Sequence, residues 1–255
     1  MGHIHYRIPD IEAHRKFWIT LGAKPAVWNN MEVMKLPGTL VRFSKSDPSG
    51  GSGGSVVNHV SLRVQDLTGL LAKMKAAGYR VEPSRTQPDS AGSVFTPDGE
   101  RVELVQDQSK VSLFVLDGGQ KNFEAERTSR KLETPIELHH IHIHVPKASV
   151  VEARDWYARN FGALAGTRVN APAADLPGVN LTFLGVDEAQ APIKGRALDH
   201  IGFEVKNLEA LCKKLEGNGV KFYRPYEMRA EGMATAYLVD PWGVHVELTE
   251  GLYHF

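Results

Sequence analysis

Histidine and glutamate recur in this chain at a spacing that could build two metal sites. The tripeptide His-Ile-His occurs at His3 and again at His140, and another histidine opens a later strand-like segment in each half. A glutamate follows near the end of each half. Counterparts lie 137, 141 and 144 residues apart, and the two matched sets are His3, His59 and Glu103, and His140, His200 and Glu247.

Two imidazoles and one carboxylate form a donor set that suits a divalent cation. Three protein ligands leave coordination positions open, as in non-haem Fe(II) sites, although Zn, Mn and Ni accept the same donors. A single histidine in a strand is more often structural, so the interpretation depends on the recurrence of the whole set. We therefore predict one divalent metal in each occupied site.

Strand alternation places these side chains on one face of each strand. Successive residues of a strand point to opposite sides, so Ile141 and Ile143 face one way while His140, His142 and His144 face the other. The same counting puts His245 and Glu247 on one face of the last strand. The apolar faces are predicted to meet the helices, and the polar faces to line two cavities.

Chemistry at such a metal also needs a proton donor or acceptor within hydrogen-bonding reach. Tyr237, His142 and His245 are the candidate catalytic residues, because counting places them beside the ligands. Each could instead hydrogen-bond a ligand and orient it, and Tyr237 could simply pack. Arg7 and Arg63 could pair with an anionic substrate in the first half.

Four similar segments of about 50 residues carry these groups. Each begins with an alternating strand, continues into an amphipathic helix and ends in shorter strands. Asp66 and Asn207 are predicted to cap two of the helices, and Gly78 and Gly219 to end them. The lone Cys212 falls on a buried helix face and is expected to pack in the core.

The segments group into two halves with a polar stretch between them. We predict a first domain over residues 1–110, a connector over 111–136 and a second domain over 137–255, with one more strand possible at 111–116. Residues 49–55 (SGGSGGS) lack the glycine spacing of a phosphate-binding loop, which favours a flexible linker.

Composition excludes several classes of function. The 30 basic and 30 acidic residues give no net charge, which argues against a nucleic-acid or anionic-membrane partner. One cysteine excludes a disulfide framework and a multi-thiolate metal site. No apolar run is long enough to span a bilayer. A cytoplasmic location is the default expectation, and an exported protein whose signal has been removed is the alternative.

At these residues the sequence resembles the vicinal oxygen chelate superfamily, which includes glyoxalases, bleomycin-resistance proteins and extradiol dioxygenases. The resemblance rests on the strand openings around the four histidines and on the two glutamates, and it covers nearly the whole chain. It implies an α+β fold of four βαβββ units, paired into two glyoxalase-like domains. It also implies that both matched sets occupy metal-binding positions.

Two departures from the family pattern narrow the range of reactions to expect. Glyoxalase I-like members have a further acidic ligand, and the corresponding position here is predicted to be Asn180 or Leu40. The stretch from Tyr237 to Glu247 is similar to that of extradiol dioxygenases, but residues 229–231 (RAE) stand where those enzymes have a histidine. The first half has Ser93 in place of Tyr237, which makes the C-terminal set the better catalytic candidate.

The favoured function is a metal-dependent enzyme whose small substrate chelates the metal through adjacent oxygens. Dioxygenase-like chemistry stands slightly ahead of a glyoxalase-type isomerase or lyase. One alternative is a non-catalytic protein that binds a small ligand, as bleomycin-resistance relatives do, and another is a scaffold stabilised by its metals. An oligomer is possible but not indicated by the sequence.

Overall fold

The computed structural model describes residues 1–28, 31–109, 113–118 and 130–252. Within them the first half of the chain forms two consecutive βαβββ units. Unit 1 contains β1 (His3–Ile8), α1 (Ile11–Leu21), β2 (Lys24–Trp28), β3 (Met31–Leu36) and β4 (Thr39–Lys45). Unit 2 contains β5 (Val57–Val64), α2 (Leu67–Ala76), β6 (Val81–Pro83), β7 (Ala91–Phe95) and β8 (Arg101–Gln106).

The second half repeats the same plan after a short strand, β9 (Phe114–Leu116). Unit 3 contains β10 (Ile136–Pro146), a 3-10 turn (Lys147–Ser149), α3 (Val150–Phe161), β11 (Leu164–Arg168), β12 (Ala171–Leu176) and β13 (Val179–Val186). Unit 4 contains β14 (Leu198–Glu204), α4 (Leu208–Gly217), β15 (Phe222–Ala230), β16 (Met233–Val239) and β17 (His245–Glu250). The predicted α+β class and the four βαβββ units are confirmed.

The units pair across the two halves of the chain. One sheet has the order β15-β16-β17-β14-β1-β4-β3-β2, so it joins unit 4 to unit 1. The other has the order β6-β7-β8-β5-β10-β13-β12-β11-β9 and joins unit 2 to unit 3. In each sheet the first strands of the two units run antiparallel at the centre. Each predicted cavity, here called a cup, is lined by the polar face of one sheet and is therefore built from both halves. The sequence did not show whether a cup forms within one half or across the two.

Local sequence signals account for the helices. The Asp66 carboxylate accepts a hydrogen bond from the Gly69 amide at 2.8 Å, and the Asn207 side chain accepts one from the Ala210 amide at 3.2 Å. Both predicted N-caps are thus formed, and each satisfies an amide that the helix itself leaves unpaired. Cys212 is buried on the inner face of α4, as predicted. No helix in the described ranges is long and apolar enough to cross a membrane.

The glycine- and serine-rich segment 49–55 is not a flexible linker. Ser52 is buried, and its amide donates to the Glu100 carboxylate at 2.8 Å. The Gly50 carbonyl accepts from the Ala197 amide, and the Gly51 carbonyl from the Arg196 side chain, both at 2.9 Å. The segment that links unit 1 to unit 2 therefore lies against the segment that links unit 3 to unit 4. Its glycines allow this close approach, which composition alone does not reveal.

The stretch between the halves contains β9, which pairs antiparallel with β11 at the edge of the second sheet. The predicted strand over 111–116 is thus formed at Phe114–Leu116, while residues 110–112 and 119–129 lie outside the described residues. The predicted connector boundary at 136 coincides with the first residue of β10.

A buried carboxylate closes the turn between β16 and β17. Asp240 accepts hydrogen bonds from the amides of Trp242 and Val244 at 3.0 and 2.7 Å, and from the Tyr157 hydroxyl at 2.9 Å. Burial raises the pKa of Asp240 to about 6, although these donors favour its charged form. Because the unfolded carboxyl ionises near pH 4 while the folded one keeps its proton up to about pH 6, the protein becomes less stable as the pH rises from about 4 to 6.

We predict that Tyr157→Phe lowers the free energy of unfolding by about 1–3 kcal/mol, and by more at pH 7 than at pH 5. The variant removes a donor to the charged carboxylate, so the loss is greatest where Asp240 is ionised. Urea unfolding at the two pH values measures it. Tyr79→Phe is the control, because that ring packs edge-on against Phe17. A loss that is equal at both pH values would contradict the prediction.

Candidate metal centres

The structure gathers the six predicted ligands into two buried groups, each drawn from both halves. Site 1 consists of His3, His200 and Glu247, and site 2 of His59, His140 and Glu103. The grouping differs from the matched sets of the sequence, because His3 and His140 are exchanged. The cause is the pairing of β1 with β14 and of β5 with β10, which brings together strands that begin equivalent units.

Site 1 converges on a single carboxylate oxygen. The Nε2 atoms of His3 and His200 each lie 2.9 Å from Oε2 of Glu247. All three residues are nearly inaccessible to solvent. On the opposite strand, a Cβ at Gly202 would lie 2.2 Å from the His3 ring, so only glycine leaves room for this imidazole.

Site 2 has the same donors in a looser arrangement. His140 Nε2 lies 3.1 Å and His59 Nε2 lies 3.6 Å from Oε2 of Glu103. Among the described residues, neither Nε2 atom makes a hydrogen bond, although both are buried. His142 also offers a nitrogen to this group. Buried nitrogens that converge on a carboxylate without hydrogen bonds are what a divalent cation would satisfy, so the donors of site 2 fit a metal.

The second ring nitrogen of three candidate ligands meets a neighbouring side chain. His200 Nδ1 lies 2.6 Å from Oδ1 of Asp199, and His59 Nδ1 lies 2.7 Å from Oδ1 of Asn58. An acceptor at Nδ1 fixes the tautomer and leaves the Nε2 lone pair directed into the site. Asp199 and Asn58 were not among the predicted residues, although each directly precedes its histidine in the sequence.

His139 has the equivalent role beside His140, at 2.7 Å between the two Nδ1 atoms. Strand alternation would place His139 with Ile141 and Ile143, on the apolar face of the strand. A register shift between Leu138 and His140 interrupts the pairing with β5, and His139 lies fully buried next to the site. A bulge of this kind changes the face of a side chain and cannot be counted from sequence.

Burial and charge set the protonation of these groups. Burial lowers the pKa of His3 to about 4, and it also lowers the pKa values of His59 and His140. Burial acts in the same direction on His200, but hydrogen bonds to Asp199 and Glu247 outweigh it and raise its pKa. Three of the four imidazoles are therefore neutral near pH 7, as ligands must be.

The predicted catalytic residues lie around the sites in different roles. The Tyr237 hydroxyl donates to Oε1 of Glu247 at 2.6 Å, so it orients the candidate ligand. His245 lies behind His200, with Nδ1 3.2 Å from the Asp199 carboxylate and Nε2 bonded to the Tyr223 hydroxyl. Both therefore contact residues that hold site 1.

His142 belongs to site 2 and stacks on His59, with 4.4 Å between ring centroids. Its Nε2 accepts a hydrogen bond from Arg168 at 2.8 Å. His5 has the same place in site 1, where it stacks on His200 at 4.4 Å. The second histidine of each His-Ile-His tripeptide thus lies beside a candidate ligand, which the repeat itself could have indicated for His5.

The position of a fourth protein ligand follows from the two-fold relation within each sheet. In this relation the antiparallel first strands, and with them the two units of the sheet, correspond residue by residue. In unit 4, Glu247 is paired with Gly202. The equivalent pair in unit 1 is His5 with Arg42, so Arg42 occupies the position that corresponds to Glu247. In site 2, Glu103 is paired with Ser61, and the equivalent residue is paired with His142, which is Thr182. The predictions of Leu40 and Asn180 were each wrong by two residues. The absence of an acidic residue at either position stands.

The arginines proposed for anion binding have other partners. Arg63 is fully buried, with its guanidinium 3.3 Å from Asp107 and 3.0 Å from Glu137. Arg7 donates to the Ser46 hydroxyl at 3.1 Å. Other arginines contact the sites instead, namely Arg42 in site 1 and Arg101 and Arg168 around site 2.

Solved structures with this fold span nearly the whole chain. Glyoxalase I from Zea mays matches with a TM-score of 0.66 and 14% identity, over 98% of this chain and 91% of that one. A putative dioxygenase from Bacillus subtilis matches with a TM-score of 0.61 and 11% identity, over 97% and 83%. The cppA protein from Streptococcus pneumoniae matches with a TM-score of 0.55 and 12% identity, over 97% of both chains. At these identities the likeness concerns the fold.

No curated protein matches the chain. A family model does match, and it does so twice, over residues 1–104 and 137–248. These two matches cover each pair of consecutive units and leave out the stretch that contains β9. The chain therefore belongs to the Glyoxalase/Bleomycin resistance protein/Dioxygenase superfamily.

Proposed function

We propose that this protein is a metal-dependent enzyme whose small substrate chelates the metal through two adjacent oxygens. The observation that carries the proposal is the pair of buried groups, each with two imidazole nitrogens directed at one glutamate oxygen. His, His and Glu would hold a divalent ion in such a group. A bound Fe(II), Zn, Mn or Ni ion would supply a Lewis acid with open positions.

The surrounding residues are suited to hold these donors in place. Asn58 and Asp199 fix the tautomers of His59 and His200, and Tyr237 holds the second oxygen of Glu247. Such partners keep a donor set rigid and so reduce the cost of ordering it when a cation binds. Tyr237 and His245 thus act as positioning residues in this proposal, while His142 is the residue beside site 2 that could contact a substrate.

Dioxygenase-like chemistry is favoured over proton-transfer isomerisation. A second glutamate in the same site could act as a base for proton transfer. The counterparts of Glu247 and Glu103 are instead Arg42 and Thr182, and neither side chain is a base near pH 7. Three protein ligands leave room for two substrate oxygens and for a further small reactant. Solved neighbours include both glyoxalase I and a putative dioxygenase, which supports the class but not the choice between them.

We expect the protein loaded with Fe(II) to consume oxygen when it is given a catechol. Oxygen uptake with an electrode, together with the absorbance of the ring-cleaved product, measures this reaction. Removal of the metal by a chelator abolishes the activity, and added Fe(II) restores it. The Glu103→Gln and Glu247→Gln variants are assayed in parallel, since each removes the carboxylate of one site.

Two other results would assign a different function. Metal-dependent conversion of the hemithioacetal of methylglyoxal and glutathione, without oxygen uptake, would identify an isomerase or lyase. Tight binding of a small ligand that survives the chelator and both glutamine variants, with no turnover, would identify a non-catalytic binding protein.

We predict that Asn58→Ala weakens binding of Zn(II) at site 2 by about 10- to 100-fold. The variant removes the acceptor that fixes His59 while it leaves every candidate ligand in place. Calorimetric titration of the metal-free protein measures the change. Asn218→Ala is the matched control, because that side chain bonds to Asn160 near the end of α3. An unchanged affinity would contradict the role given to Asn58.

A further inference from the structure

We propose that the two sites differ in kind: site 2 binds the metal, and the Arg42 guanidinium takes the place of the cation in site 1. The inference deepens the function proposed above and rests on its metal dependence. It starts from the two-fold relation within each sheet, which makes Arg42 the counterpart of Glu247 in site 1, and Thr182 the counterpart of Glu103 in site 2.

Arg42 contacts the very atoms that a metal in site 1 would need. Its Nη1 lies 3.3 Å from Oε2 of Glu247 and 3.3 Å from Nε2 of His3. A divalent ion bonds such atoms at about 2.0–2.2 Å. An ion bound there would lie within a few ångströms of a permanent positive charge, in a group shielded from solvent, and the two would repel each other strongly.

The position of Arg42 is held by more than the carboxylate. The guanidinium lies 4.5 Å from the ring centroid of Trp28, a buried residue, and the side chain of Arg42 is only 13% exposed. An arginine packed between a ring and a carboxylate loses both contacts when it turns away. The carboxylate oxygen that it contacts also lies 2.9 Å from both imidazoles of the site. The donors of site 1 therefore already have partners.

Among the described residues, no guanidinium contacts Oε2 of Glu103 or the Nε2 atoms of His59 and His140, although Arg168 is buried beside His142. Thr182 is uncharged, and its hydroxyl bonds to Asn180 and to the Arg168 side chain. Arg101 contacts Glu103, but through Oε1, whereas Oε2 is the oxygen that faces the histidines. Arg101 is also 38% exposed, so it can turn to solvent.

The Nε2 atoms that lack a hydrogen bond are likewise in site 2. His59 Nε2 and His140 Nε2 are buried and make no hydrogen bond among the described residues. In site 1 the two Nε2 atoms both bond to Glu247. A buried polar atom without a hydrogen bond is costly, so a metal at site 2 would satisfy two Nε2 atoms whose counterparts in site 1 already bond to Glu247.

Calorimetric titration of the chelator-treated full chain with Zn(II) tests the proposal. We expect one tight ion per wild-type chain, a loss of at least 100-fold in affinity for Glu103→Gln, and little change for Glu247→Gln. Arg42→Met gains a second ion. Arg101→Met is the matched control, because it removes an arginine that contacts the other glutamate, and it gains none. Circular dichroism checks that each variant folds, and Arg42→Gln replaces the methionine variant if that one does not.

Anomalous diffraction from wild-type crystals loaded with Zn(II) places the ion independently of any variant. Density only at site 2 is the expected result. Two ions of equal affinity in the wild type, or loss of the single ion in Glu247→Gln, would overturn the inference and leave the proposed metal dependence intact. No tight ion in any form of the protein would overturn the proposed function as well.

Discussion

Both sheets are organised by the antiparallel pairing of first strands from the two halves of the chain. β1 pairs with β14, and β5 with β10, so each sheet is centred on strands that begin two different units. The apolar residues of these strands alternate into the core, with Ile4 opposite Ile201. The polar residues between them lie on the opposite face of the sheet, which the two units share. Chemistry and core packing thus follow from the same register.

Polar groups inside the cups are tolerated because most of them satisfy one another. Burial disfavours the charged forms of the imidazoles and the carboxylates, and each carboxylate is compensated by the histidines that it faces. The outer nitrogens of His59 and His200 meet Asn58 and Asp199, and Tyr237 meets the second oxygen of Glu247. The candidate ligands His59, His200 and Glu247 are thus held by hydrogen bonds to neighbouring side chains.

The two cups have the same arrangement of strands and differ in charge at one equivalent position. Arg42 and Thr182 occupy positions that a symmetric four-ligand site would give to acidic residues. The guanidinium of Arg42 contacts the oxygen of Glu247 that faces the histidines, whereas Arg101 contacts the other oxygen of Glu103. The ordered passages at 49–55 and 191–197 hold the cups together, since their backbones bond directly to one another. The two cups thus share one framework and differ in the side chains that line them.

The repeated units, the helix caps, most strand faces and the six candidate ligands can be recognised from the order of residues along the chain. These features are local, because alternation, helix periodicity and capping involve neighbours along the chain. Tertiary structure alone decided which ligands meet, that Arg42 and Thr182 face them, and that segment 49–55 is ordered. The partner and register of a strand depend on contacts between residues far apart in the chain, from 72 positions for Val64 and Ile136 to 199 for His3 and Gly202. A shift of two residues exchanges Leu40 for Arg42, and a bulge moves His139 into the site, so counting along the chain could not resolve either.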